Sequence, residues 1–133
     1  MANTFQLTFD CADADRLSQF WASALGYVTQ PPPEGFADWP TFLNARGIPI
    51  PVAGHISAIV DPAGIGPRVL FLRVPEAKSA KNRLHVDIEA GDQREARVAE
   101  LVGLGATHVR DVAENGETWS VLIDPEGNEF CLV

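Results

Sequence analysis

The sequence predicts an α+β fold: two βαβββ modules in one chain, forming a cleft between curved mixed sheets, with a short helical insert in the first module. Three observations predict it. The strand-like segment at residues 5–10 returns at 84–89, an offset of 79. A strand followed by Asp-Pro-x-Gly at 57–64 returns at 120–127, an offset of 63. The 16-residue difference between these offsets falls in a proline- and glycine-rich stretch, about 31–53, that only the first copy carries. A module of this size cannot bury its sheet face alone, so both copies are read as one domain over 1–133. Module one covers 1–74, a connector 75–82 and module two 83–133.

Each element follows from local pattern. Phe5, Leu7 and Phe9 alternate with polar residues, the period of a half-buried strand, and Leu84, Val86 and Ile88 repeat that alternation. Asp13 then offers an N-cap and Gly26 a left-handed stop, and between them Leu17, Phe20, Trp21, Ala24 and Leu25 form an apolar stripe at helical spacing. The second copy predicts the same of Asp92, of Gly105 and of the stripe Val98, Leu101, Val102 and Leu104. Inside the insert, 38–47 reads as a short helix capped by Asp38, with Pro40 in its first turn and Gly47 at its end. Its Trp39, Phe42 and Leu43 need a surface to cover, whether to finish the core or to grip a ligand as a lid. The closing strands of the two copies lie at 69–72 and 129–132, with Leu72 and Cys131 taken as mates at an offset of 59.

Composition bounds the function. With 133 residues, 46% of them hydrophobic, the chain has the makings of one folded domain and not of a disordered segment. No run approaches the ~18 apolar residues of a membrane span, and residues 1–10 lack the basic and apolar regions of a secretory signal. Two cysteines, Cys11 and Cys131, make no disulfide framework, so a cytoplasmic location is expected. The net charge of -8, split as -4 in each half, argues against nucleic acid as a partner, because phosphate backbones need a basic surface. The one basic run, from Arg73 to Arg83, reads as a solvated connector.

Closed by Asp-Pro-Glu-Gly-Asn-Glu-Phe-Cys at 124–131, the paired modules resemble the vicinal-oxygen-chelate superfamily, which includes glyoxalase I, extradiol dioxygenases and bleomycin-resistance proteins. Asp-Cys-Ala-Asp at 10–13, Phe-Trp-Ala-Ser-Ala-Leu-Gly at 20–26, Val-Pro-Glu-Ala-Lys at 74–78 and Lys-Asn-Arg-Leu-His-Val-Asp at 81–87 are similar to its glyoxalase-like branch. The likeness covers nearly all of the chain outside the insert. It implies four metal positions, on the first and fourth strands of each module, and these fall at Gln6, Leu72, His85 and Cys131. Leu72 has no donor atom and Gln6 is a weak neutral donor, so the implied site is degenerate and no metal is expected. Were a divalent metal present, His85, Cys131 and Gln6 would hold it, a set suited to a soft or borderline ion, with Glu129 as a substitute ligand. The resemblance also implies a homodimer.

His85 is the catalytic candidate, as ligand, general base or orienting donor, against the plainer role of a core histidine. The ligand-binding candidates are Gln6, Trp39, Phe42, Leu72, Arg73, Trp119, Glu129 and Cys131. Trp39 and Trp119 offer aromatic walls, and Arg73, at a strand end, offers a clamp for an acidic ligand. Cys131 is read as thiolate ligand or nucleophile against inert packing, and His55 and His108 as strand-edge residues. There is no glycine-rich phosphate loop, nucleophile elbow or Cys-x-x-Cys pair. Three readings stay open: a glyoxalase-like binder with a degenerate metal site that holds a small organic ligand in the cleft between the modules, a metal-dependent lyase, isomerase or dioxygenase, and a catalytically silent dimerisation module.

Overall fold

In the computed structural model, which describes residues 1–133, the first helix begins and ends where its capping residues predict. Helix α1 (Ala14–Leu25) has Asp13 as N-cap, accepting from the Arg16 amide, and stops at Gly26 in the left-handed region with φ of 70°. Its stripe is buried at Leu17, Phe20, Trp21 and Ala24, while Leu25 is half-buried. Each large apolar side chain removed from water in this way contributes about 1.5–3 kcal/mol.

Two compact units divide the chain, Met1–Pro75 and Glu76–Val133. In the first unit, β1 (Leu7–Cys11), β2 (Val28–Thr29), β3 (Ile56–Val60) and β4 (Val69–Arg73) form a mixed sheet in the order β1-β4-β3-β2, with β1 parallel to β4. Helix α1 packs on one face, where Phe9 lies 5.0 Å from Trp21 and 5.2 Å from Phe71 by ring centroids. The insert helix α2 (Trp39–Ala45) is present, with the Asp38 carboxylate accepting from the Thr41 amide and Gly47 at φ of 67°.

The second unit repeats the plan. Its strands β5 (Val86–Ile88), β6 (Thr107–Glu114), β7 (Glu117–Ile123) and β8 (Glu129–Leu132) run in the order β5-β8-β7-β6, again with the first and last strands, β5 and β8, adjacent and parallel. Helix α3 (Arg94–Gly103) contacts β7 and β8 on the face that buries Leu122, Phe130 and Leu132. The architecture is therefore α+β, two four-stranded mixed sheets in two βαβββ units, and neither sheet closes into a barrel.

Four expectations need correction. The first strands start late: Phe5 and Leu84 precede β1 and β5 and are exposed, so neither joins its core face. Asp92 does not cap α3; a 3-10 turn over Gly91–Gln93 absorbs it, and the cap position falls to Gln93 without a side-chain bond. Of the second stripe only Leu101 is fully buried, Val102 and Leu104 being exposed. The closing strands match at an offset of 61 and not 59, because Leu7 pairs with Val69 exactly as its repeat mate Val86 pairs with Phe130. Cys131 is thus the mate of Leu70 and Glu129 the mate of Arg68.

Candidate functional site

Side chains alternate across a strand, so burial of Val69 and Phe71 under α1 sends Arg68, Leu70 and Leu72 to the opposite face of the first sheet. Arg68 is fixed there from both sides. Its Nε donates to Gln30 Oε1 at 2.8 Å and its Nη1 to Gln6 Oε1 at 2.9 Å. Gln6 precedes β1, and Gln30 follows β2, where its amide donates to the Ala58 carbonyl, so this trio spans the sheet.

The insert covers the β2–β3 side of this face. Trp39 Nε1 donates to the Gln30 carbonyl at 2.9 Å and ties α2 to the end of β2. Beneath lies a cavity of about 420 Å³, walled by Trp39, Leu43, Ile50, Ile56, Ala58 and Leu70, with Gln30 and Arg68 as polar groups. That volume is in the range of small-molecule sites, and so is the chemistry of an apolar wall with few fixed polar groups. Asp15 also reaches the cavity, but its Oδ2 accepts from the Gly54 amide at 2.8 Å.

A second cluster lies in the second unit. Asp87 is paired with Cys131 across β5 and β8, and His85, two residues before Asp87, shares its face. His85 Nε2 is 3.2 Å from Asp87 Oδ1, and donor atoms of His85, Asp87 and Cys131 all lie within 4.8 Å of one another. The Cys131 thiol is buried and donates to the Asp87 carboxylate; burial first, then that negative charge, push its pKa up. It is therefore held as a thiol at neutral pH, poorly suited to nucleophilic attack. Glu129 is engaged by Lys81 at 2.7 Å, and this bond holds its carboxyl below the ordinary range.

The profile of the glyoxalase-like domain matches residues 6–133. The chain belongs to the glyoxalase-like domain family. No curated protein matches it in sequence. Its fold is similar to that of a glyoxalase/bleomycin resistance protein/dioxygenase family enzyme from Burkholderia phytofirmans, with TM-score 0.67 and 14% identity over 98% of this chain and 97% of that one. It is also similar to the fosfomycin resistance protein FosX from Mesorhizobium loti, with TM-score 0.65 and 14% identity over 99% of this chain and 90% of that one. A FosX variant from Listeria monocytogenes, complexed with manganese(II) and a dihydroxypropylphosphonic acid, gives TM-score 0.67 and 9% identity over 99% and 89% of the respective chains. At these identities the likeness concerns the fold.

Set against the glyoxalase-like fold, the predicted residues separate into two groups. Gln6 and Trp39 belong to the first-unit assembly around Arg68. Phe42 does not wall the cavity; it packs inside the insert, with Phe36 at 5.1 Å, Trp39 at 5.7 Å and the Arg46 guanidinium at 5.4 Å. Leu72 is half-buried on the cavity side of the sheet. Arg73 is no clamp there: it is exposed and sits 3.1 Å from His55 Nε2. In the second unit, His85 is not enclosed, its side chain being 51% exposed, while Trp119 is half-buried on β7 opposite Val112. His108 pairs with Asp111 at 3.0 Å, and Asp111, which also accepts from Ser120 at 2.6 Å, is held below the ordinary carboxylate range by those bonds, that from Ser120 first.

Sequence reasoning missed Arg68 and Asp87. Arg68 carries a signal once the offset of 61 is used, because it is then the repeat equivalent of Glu129, itself a candidate. Asp87 is marked by alternation from His85. As a donor set, imidazole, carboxylate and thiol within 4.8 Å fit a borderline ion such as zinc better than a hard one. Held by His85, Asp87 and Cys131, such an ion would supply Lewis-acid polarisation of a bound oxygen.

Proposed function

We propose that this glyoxalase-like chain is a small-molecule-binding protein whose ligand occupies the first-unit cavity beneath α2. The observation that carries this reading is the cavity itself: about 420 Å³ of mostly apolar space with a fixed guanidinium on its wall. Trp39 supplies a flat aromatic surface and is immobilised by its bond to the Gln30 carbonyl, so binding costs little further side-chain entropy. Thermal unfolding with phenylpropionate, indoleacetate, hexanoate and their amides tests this. At least one compound raises Tm saturably, and Trp39→Ala shrinks that rise while leaving the fold intact by circular dichroism. If no compound raises Tm, or if the rise survives Trp39→Ala and vanishes in His85→Ala, the reading fails.

A second reading, metal-assisted chemistry in the second unit, is favoured by the His85, Asp87 and Cys131 donor cluster. The three side chains would hold the ion, and binding it would require the thiol to give up to solvent the proton it donates to Asp87 in the metal-free protein. Cobalt(II) addition to tag-free protein is the direct probe. A thiolate-to-cobalt charge-transfer band that is lost in Cys131→Ser supports this reading; the absence of any such band in the unsubstituted protein excludes it.

A further inference from the structure

The cavity carries chemical information beyond its size. Arg68 has five N–H donors, of which the chain engages two, the Nε by Gln30 and one on Nη1 by Gln6. The remaining three, both on Nη2 and one on Nη1, have no acceptor in the chain. Neither engaged acceptor is charged, because both are amide oxygens. Arg68 therefore makes no salt bridge, unlike Arg97, which is paired with Glu100 at 2.6 Å. The amides orient the guanidinium while leaving its charge whole.

We infer that the first-unit cavity selects a small organic carboxylate, its acid group taken by Arg68 and its apolar body held against Trp39, Leu43, Ile50 and Ile56. This rests on the cavity reading above and names the ligand class for it. A guanidinium fork matches a carboxylate by two parallel charge-assisted bonds, and apolar walls reduce the screening of that attraction. Asp15 is the other charged group at the cavity, and its commitment to the Gly54 amide keeps one of its oxygens turned to the backbone. The chain as a whole repels anions, with a net charge of -8, so a preference for acids can only come from a local group.

The test is an amide-resolved NMR titration of the whole chain with phenylpropionate, indoleacetate and hexanoate, each beside its neutral amide. Acids shift the backbone amides of Gln30, Leu43, Ser57 and Ala58 and bind about tenfold tighter than their amides, a margin that narrows with added salt. Arg68→Gln brings acid and amide within about twofold, and Arg68→Lys, which keeps charge without the fork, retains part of the preference. If Arg68→Gln fails to fold, the acid–amide margin of the unsubstituted chain and its salt dependence decide. Acid and amide binding equally in the cavity would overturn the acid assignment and leave the cavity reading intact. No compound shifting these amides would overturn both. A guanidinium that merely ties Gln6 to Gln30 gives the first of these failures.

Discussion

At the scale of single residues, an identical strand position does different work in each unit. Leu70 and Cys131 are repeat mates, as are Arg68 and Glu129, and Gln6 and His85. One sheet thus presents an amide-bound cation beside an apolar wall; the other presents imidazole, thiol and carboxylates. Gln6, His85 and Cys131 were named as candidates because the resemblance puts its metal positions on the first and last strands of each unit. Arg68 was not, since an alignment error of two residues keeps every side chain on its correct face and so leaves no contradiction to detect. The Cys131 thiol gives a prediction at this scale. Its folded pKa is raised, so its contribution to stability is full below the ordinary thiol range and is lost as pH rises through the folded value. In metal-free buffer, alkylation of Cys131, followed by peptide mass spectrometry against pH, reaches its half-maximal rate above the ordinary thiol range. Asp87→Asn removes the neighbouring negative charge and moves that midpoint down; an unmoved midpoint would show that Asp87 does not act on the thiol.

At the scale of elements, capping was the most readable feature where a helix stands directly after a turn. Asp13 and Asp38 both behave as read, each accepting from the amide three residues on. Asp92 failed because the chain between β5 and α3 takes Gly91 into the left-handed region at φ of 55° and makes a 3-10 turn first. The insert was legible as a helix but its seat was not: Trp39 and Leu43 wall the cavity, while Phe42 turns into a small aromatic cluster with Phe36. Helical spacing alone cannot rank three adjacent apolar residues by which neighbour they meet. Since α2 has seven residues and no fully buried side chain, its cap is a large part of what holds it. Asp38→Ala is expected to speed hydrogen exchange at Thr41 and Phe42 and to weaken ligand binding several-fold, with Tm little changed. Loss of Tm without any change in exchange at α2 would contradict this account.

For the whole molecule, the repeat carried most of the fold. Two offsets were enough to mark two units and the insert, because each βαβββ unit buries one sheet face under its own helix. Which strands pair, and that the first and last of each unit run parallel, only the structure shows. Composition contributed only exclusions, with acidity spread so evenly that it marked no surface. Function was less legible than fold for a physical reason: the cavity is made by the segment that the repeat does not contain. The structure of crystals grown with the tightest-binding acid of the panel tests the account most directly. It predicts the carboxylate on Arg68 and the apolar body beneath Trp39, in the first unit. Ligand seated instead against His85 and Cys131 in the second unit, with the space under α2 empty of it, would contradict that claim.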